Sequence, residues 1–409
     1  MHILITNHNV RGQGTYWRAL QFARQLHMRG HTVTMMCVAA DKRFRARRSH
    51  RDRFTLFETP HWAPGLDPQE GWGLLDLLFR TSHALVRRVD LVYSFSHKPN
   101  CIIPARVARM RSGCPWVSDW CDWWGGPEGL FRRWVIPSEA FQALPPRTRR
   151  WRERIFRREE RREERVRHRA DLVTLICHAL RDRAQGLGLP EEKLLVIPSG
   201  APTDAITPGD KGRARRALGL SQTAYVLGYM ANMHLDEDLL LRAFARLLDV
   251  SPDAVLLVIG PPFDHPDRHL TPQRQATSLR TLGSIPFSEV PTALAASDVL
   301  LMPLSDCHYN RGRWPNKIGD YIAAGRPVIA TDVGDAPDLL RRHGAGWIAA
   351  PTAEALATEM AQAYDDRLRW GEMGECAREL AMTDLSWHRL TERLITAIHV
   401  RLGLDLSRV

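Results

Sequence analysis

From its first residues the chain alternates short apolar runs with stretches in which apolar side chains recur every three or four positions. Met1-His2-Ile3-Leu4-Ile5-Thr6 reads as a buried strand, and an amphipathic helix to about Arg29 follows a polar turn. The alternation continues to the end, which is the βαβ signature of parallel sheets covered on both faces. Strands are predicted to begin near His2, His31, Phe54, Asp90, Pro115, Asp171 and Lys193, and again near Ala224, Ala254, Arg280, Asp298, Arg326 and Ala345. Between the two sets, residues 198–222 are rich in Pro, Gly and Thr and read as an exposed connection ending in a short basic helix. Two Rossmann-like, doubly wound domains are therefore expected, residues 1–205 and 206–385. The remainder, 386–409, holds Leu390, Leu394, Ile395, Ile398 and Val400 at helical spacing, a helix that needs a surface to cover.

At 409 residues with 44% apolar side chains the chain can bury two cores. No run of 18 apolar residues occurs, and no basic start leads into an apolar segment with a cleavage site. A cytoplasmic protein is expected, with any membrane contact peripheral. The seven cysteines form no CxxC pair, which points to reduced thiols and no zinc site.

The net charge of +11 is concentrated in two places. Residues 147–169 hold twelve Arg against five Glu, and residues 41–53 hold seven basic side chains against two Asp. Arg and Glu three or four apart can pair along a solvated helix. The alternative is an anionic partner: a lipid headgroup surface at the inner face of the membrane, a phosphorylated acceptor, or nucleic acid, for which no fold motif speaks. Phe131, Trp134, Ile136, Phe141 and Trp151, interleaved with Arg132, Arg133, Arg149 and Arg150, would suit an anionic headgroup layer.

After the first strand comes Arg11-Gly12-Gln13-Gly14-Thr15, where glycines let backbone N–H groups approach an anion at a helix start. A third glycine is missing, since position 17 is Trp, so the loop reads equally as a tight turn. The more informative segment runs from Asn310 through Arg311, Gly312, Arg313, Trp314, Pro315, Asn316, Lys317, Ile318, Gly319, Asp320 and Tyr321 to Gly325-Arg326-Pro327-Val328. It follows a strand, so it lies where open α/β sheets bind ligands. Arg311, Arg313, Lys317 and a helix N-terminus converge there as a diphosphate would require, and Asp320 can accept from ribose hydroxyls. With 52 Arg and only five Lys in the chain, Lys317 is an unusual choice, and a compact ammonium suits a phosphate oxygen. It is read as an exposed loop lysine whose loss leaves stability unchanged.

The order strand, polar loop, helix, Ala-x-Gly-x-Pro-Val and strand resembles the donor site of retaining glycosyltransferases of family 4, in a bacterial branch with Pro-x-Lys-Ile-x-Asp-Tyr. Ser96-His97-Lys98-Pro99, Ile197-Pro198-Ser199-Gly200 and Val258-Ile259-Gly260 agree with it. The resemblance implies the GT-B fold, two Rossmann-like domains facing across a cleft, with the final helix crossing back to the first domain. It implies donor contacts from Gly12, Gly14, Thr15, Gly260, Ser284, Asn310, Arg311, Arg313, Asn316, Lys317 and Asp320. Three departures stand out. The first of the family's two glutamates falls on Gly312 and the second on Asp320. The usual Arg and Lys after the first strand of the second domain are absent from Gly228 to Asp238. The usual histidine after the fifth strand is replaced by a stretch in which Asp119 or Asp122 stands in.

Other residues keep two readings each. Asp236-Glu237-Asp238 looks like a metal-binding Asp-x-Asp, but at a helix start capping and the macrodipole explain it better. His97 contacts a substrate or simply bonds to backbone. Trp116, Trp120, Trp123 and Trp124 form either an acceptor wall or core. The resulting expectation is a retaining, metal-independent enzyme without a cofactor, moving a sugar from a nucleoside-diphosphate sugar to a glycan, glycolipid or small-molecule acceptor. Asp119 or Asp122, His97, Lys317 and Arg313 would be its catalytic groups. The rivals are a nucleotide-sugar-binding pseudoenzyme or scaffold, and an epimerase of the same fold.

Overall fold

The computed structural model describes residues 1–49, 54–63, 70–126 and 128–406. His50, Arg51, Asp52 and Arg53, which end the first basic stretch, lie outside the described residues. The chain divides into two compact units, Met1–Pro198 with Trp387–Val409, and Ser199–Ser386.

The first unit is built on strands β1 (His2–Val10), β2 (Thr32–Val38), β3 (Arg47–Ser49), β4 (Thr55–Thr59), β5 (Leu91–Phe95), β6 (Trp116–Trp120), β7 (Leu172–Leu175) and β8 (Leu194–Val196). They form one sheet in the order β3-β4-β2-β1-β5-β6-β7-β8. All neighbours are parallel except β3, which pairs antiparallel with β4. The sequence reading missed β3 because Arg47-Arg48-Ser49 has no apolar run. It is held at the edge by Arg47, whose guanidinium donates to Glu58 on β4 at 2.7 and 2.8 Å. The helix Trp387–Leu402 completes this unit: Leu390, Leu394 and Ile398 are fully buried, and Trp387 meets Phe22 edge-on at 5.3 Å. A core that includes Ile3, Phe22 and Tyr93 on one side and Leu390 on the other is thus assembled from both ends of the chain.

The second unit contains β9 (Val226–Met230), β10 (Val255–Ile259), β11 (Leu279–Thr281), β12 (Val299–Met302), β13 (Val328–Thr331) and β14 (Gly346–Ala349). Its all-parallel order is β11-β10-β9-β12-β13-β14. The sheet winds outward in both directions from β9 and β12, so the turns after these two strands flank a crevice at its switch point. The start of the connecting segment is packed rather than exposed: Ala201 and Ile206 are buried, and Arg378 donates to the carbonyls of Thr203 and Ile206. The expected basic helix is present at Lys211–Leu218.

Candidate functional site

At the switch point of the second sheet the buried carboxylate of Asp236, in the turn after β9, gathers groups from the segment after β12. It accepts from the Ser305 amide at 2.9 Å, from the Ser305 hydroxyl, and from Asn310 Nδ2 at 3.0 Å. Arg313 Nη2 lies 3.4 Å away. Asp236 does not cap its own helix, Glu237–Val250, with its side chain. Nor do its neighbours act as simple caps. Glu237 accepts from the Asp264 and His265 amides, and Asp238 pairs with His269. Side-chain capping by Asp236 is therefore corrected, while Glu237 and Asp238 do sit in the first turn of the helix, where the macrodipole favours acids. Among the described residues no group of three or more His, Cys, Asp or Glu is placed to hold a metal ion.

Lys317 opens the helix Lys317–Ala323, and its ammonium sits 4.3 Å from the centre of the Tyr229 ring. It is half-buried rather than the exposed loop lysine expected. Burial and the nearby Arg313 push its pKa down to about 7, with Asp236 opposing them. The helix has only seven residues, so side-chain cations rather than its dipole dominate the charge here. Arg313 crosses the Tyr309 ring at 4.8 Å, and its Nε is buried without a partner. Asn310 is fully buried, with Nδ2 engaged and Oδ1 unpartnered. Burial alone raises the Asp320 carboxyl to about 7.

Asp236, Asn310, Arg313 and Lys317 therefore cluster between the turn after β9 and the segment after β12, and Asp320 follows three residues further along the Lys317 helix. Arg311 does not join them, being paired with Asp306 at 2.6 and 2.7 Å on the surface. Asn316 is exposed beside Lys317, and Gly312 is buried with no side chain to offer. Gly260, at the end of β10, has φ +143°, and a Cβ there would stand 1.9 Å from the Ala231 carbonyl oxygen, so only glycine fits. Its amide bonds to Gly283 at 3.0 Å, and Ser284 follows on the surface. Asp236 and Tyr229 are the two participants the sequence reading did not assign.

In the first unit, the switch point lies between β1 and β5. After β1, Gly14 turns with φ +51° against the Asn9 side chain, and Asn9 Oδ1 accepts from both the amide and the hydroxyl of Thr15. Gly12 takes the Trp17 indole N–H on its carbonyl. These bonds make a tight turn, one of the two readings of this loop. After β5, Ser96 has φ 142°, a strained value for a residue with a side chain, and His97 follows it into the interior. Burial and the charge of Lys98 drive the His97 pKa well below 6.5, and its Nε2 has no partner. His97 lines a small hollow together with His8, Thr15, Asp119, Asp122, Trp124 and Arg167.

Both aspartates offered as stand-ins line this hollow, but they differ in burial and in partners. Asp119 is fully buried and receives Arg18 Nη2 at 3.0 Å, Arg18 Nε at 3.1 Å and Thr174 at 2.5 Å. Arg18 also donates to the carbonyls of Ile197 and Pro198. Asp119 is thus an internal tie between the first helix, the sheet and the segment after β8. Asp122 is half-buried at the hollow.

The aromatic and basic stretches also resolve. Trp116 and Trp120 are core, whereas Trp123 and Trp124 are half-buried. The Arg-rich helix Pro146–Arg169 is integral along one face. Glu159 binds Lys98 at 2.7 Å, Glu163 accepts from Trp120 and the Gly125 amide, and Arg167 donates to Ser118. Phe131 stacks on Phe156 at 4.4 Å and Phe141 packs beside it, so the aromatic set expected to meet headgroups is largely an internal cluster; Trp151 remains exposed.

Residues 12–200 match the family model described as Glycosyl transferase 4-like domain, and residues 224–366 match Glycosyl transferases group 1. The GDP-mannose-dependent monoacylated alpha-(1-6)-phosphatidylinositol monomannoside mannosyltransferase of Corynebacterium glutamicum is 27% identical over 48% of this chain and 54% of its own length. The D-inositol 3-phosphate glycosyltransferase of Actinosynnema mirum is 28% identical over 58% of each chain. The chain thus spans little more than half the length of these curated relatives. Sucrose-phosphate synthase from Thermosynechococcus elongatus superposes with a TM-score of 0.72 at 16% identity, over 98% of this chain and 99% of that one. The Anabaena protein HepE, in complex with UDP and glucose, gives 0.68 at 15%, over 98% and 100%.

The Arg18–Asp119 tie makes a direct expectation. Asp119→Ala leaves a buried guanidinium without its carboxylate and should lower stability by about 3–5 kcal/mol in urea unfolding. Replacing both by leucine should recover part of that loss. A wild-type-like midpoint for Asp119→Ala would show that the pair is not a structural tie.

Proposed function

We propose that this chain, whose fold is GT-B and whose two domains match glycosyltransferase models, moves a glycosyl group with retention from a nucleoside-diphosphate sugar to an acceptor hydroxyl. The observation that carries the reading is the cluster of Arg313 and Lys317 around Asp236 at the switch point of the second sheet. A departing diphosphate gains negative charge, which these fixed cations are placed to stabilise, and Asp320 accepts from the ribose. A leaving phosphate oxygen takes the acceptor proton, so no protein nucleophile and no metal ion is required. Relatives named for GDP-mannose and a fold neighbour bound to UDP support a nucleoside-diphosphate donor. Relatives named for phosphatidylinositol mannoside or inositol phosphate support an anionic acceptor, which suits the basic first domain.

A lipid-borne acceptor also calls for membrane contact, and the exposed apolar face of one helix supports that reading. Leu74–Val86 is turned polar side inward. Arg80 is buried on the carbonyl of Asn7 and on Asp76, while Leu74, Leu78, Leu85 and Val86 are 57–73% exposed. Trp72 stands exposed beside its start, and Arg87 and Arg88 follow its end. This surface replaces the 131–141 aromatics as the proposed contact with an anionic bilayer at the inner membrane face. No helix among the described residues is long and apolar enough to cross a membrane.

The donor reading is tested by turnover. Lys317→Ala should lower turnover by about 100-fold or more, with a smaller loss of donor affinity. Lys317→Arg should also be impaired, because a planar fork does not replace an ammonium. Arg157→Gln or Arg161→Gln, exposed on the Arg-rich helix, should leave turnover on a soluble acceptor intact. Near-normal turnover of Lys317→Ala would move the phosphate site elsewhere, and tight donor binding without release of nucleoside diphosphate would favour a binding protein over an enzyme.

Because burial holds the free Lys317 near pKa 7, about one molecule in ten carries the ammonium at pH 8, and a bound diphosphate restores it. Binding of UDP or GDP should therefore take up a proton at pH 8 and little at pH 6, so affinity falls as pH rises through 7. Titration calorimetry in buffers of different ionisation enthalpy measures this, with Asp320→Asn removing the opposing titration of Asp320. Equal uptake by Lys317→Ala would exclude this lysine as the source. For the bilayer contact, flotation with phosphatidylglycerol vesicles should retain the wild type, and Leu74→Gln/Leu78→Gln/Leu85→Gln should lose most binding. Undiminished flotation of that variant would reject the surface.

A further inference from the structure

Beside the start of the helix Leu74–Val86 the first unit carries a slot of about 280 Å³. One wall belongs to the helix Pro146–Arg169, where Trp151, Ile155, Arg158 and Arg162 are spaced four, three and four residues apart and so share a face. The other wall is Trp72. Gly71 brings the chain there: with φ +78° it passes so close to the turn after β5 that a Cβ at this position would stand 2.7 Å from Asn100 Oδ1 and 3.0 Å from Lys98 Cβ. Trp72 and Trp151 remain 40% and 44% exposed, so two indoles on one slot keep much of their apolar surface against water.

The charge of the slot is one-sided. Its one carboxylate, Glu159, is buried, and Lys98 takes both of its oxygens at 2.7 Å. Arg158 and Arg162 are left without an ion pair among the described residues. Arg162 lies 4.7 Å from the centre of the Trp72 ring, yet its Nη1 is buried with no hydrogen-bond partner. Burial lowers the Arg162 pKa below the ordinary arginine range, with Glu159 opposing the shift and Arg158 adding to it. A buried guanidinium donor close to a second guanidinium is stabilised by an anion that offers several acceptor oxygens.

We propose that the slot holds the phosphate end of an anionic phospholipid, with the phosphate oxygens on Arg158 and Arg162 and the glycerol and first acyl carbons against the Trp72 and Trp151 rings. The volume accommodates that part of a lipid and no more, so the tails must leave the slot. Two residues after Trp72, Leu74 begins the exposed apolar face of its helix, and tails that leave beside it stay in an apolar phase. A soluble phosphate would use the arginines and leave the indoles in water, whereas a bilayer lipid uses both. The slot deepens the bilayer contact proposed above from a general surface to a site for one lipid, and it rests on that reading for the source of its ligand.

Dihexanoyl phosphatidylglycerol, kept below its micelle concentration, tests the slot without a bilayer. In titration calorimetry the full wild-type chain should bind it, and Arg158→Gln/Arg162→Gln should bind it about ten-fold or more weaker. Trp151→Ala, at an exposed position, should weaken it as well. Arg157→Gln/Arg161→Gln removes the same charge from exposed positions outside the slot and should bind as the wild type does. Should loss of Arg162 lower the melting temperature by freeing Trp72, Trp151→Ala decides. No binding by the wild type, or undiminished binding by both slot variants, overturns the site. Glycerol 3-phosphate keeps the phosphate and lacks the acyl chains, so it should bind at least about ten-fold weaker than the lipid. Equal affinity overturns the lipid in favour of a plain anion site. Flotation with phosphatidylglycerol vesicles separates this proposal from the bilayer reading. A wild type that binds the soluble lipid through the slot but does not float keeps the slot and loses the bilayer surface. One that floats but does not bind the soluble lipid keeps the surface and loses the slot.

Discussion

A carboxylate buried where a parallel sheet reverses its strand order must find donors, and the way Asp236 finds them shapes everything around it. Its donors come from a segment about 70 residues later in the chain, Ser305 to Arg313. The turn after β9 and the loop after β12 are therefore fixed to one another before any ligand arrives. Lys317 is carried on the end of that loop, and the Tyr229 ring that receives it comes from β9 itself. For the diphosphate proposed above, the arrangement is preorganised: Arg313 and Lys317 are partly buried and already in place, so they need little reorganisation. The first unit repeats the device with Asp119 and Arg18, where Thr174 adds a further donor to the carboxylate.

Strands were legible in the sequence because a strand buried on both faces is a nearly continuous apolar run, and thirteen of the fourteen begin within two residues of where such runs start. The exception, β3, is stabilised by a cross-strand ion pair and leaves no apolar trace. The segment proposed above to hold the donor stands out in the sequence for a different reason: Lys317 and Asp320 stand in a motif with a local spacing. Asp236 does not, because an acid at a helix start has a sufficient local explanation, and only the fold reveals that its partners lie elsewhere. Burial is similarly non-local. Lys317 looked exposed because Tyr229, 88 residues away, is invisible to local reading, and Phe131 and Phe141 looked like surface aromatics because Phe156 arrives from the next helix.

The Arg-rich helix shows why composition alone leaves open what charge is for. Its Glu159, Glu163 and Arg167 are buried and bond to Lys98, to backbone amides and to Ser118. Arg157 and Arg161 on the outer face meet solvent. The same sequence therefore serves as a structural strut and as a cationic surface, and substitutions along it will divide by face rather than by residue type.

The first unit is discontinuous, since Trp387–Leu402 seals the face that includes Phe22 and Leu390. During synthesis the eight strands emerge long before that helix does, with all of residues 199–386 made in between. At about 5–20 residues per second, that interval is on the order of 10–40 s. The nascent first unit thus waits with an open apolar flank while a complete neighbouring domain is free to fold ahead of it. Vectorial synthesis and spatial assembly run in opposite orders here, and the apolar flank stays uncovered until the closing helix clears the ribosome.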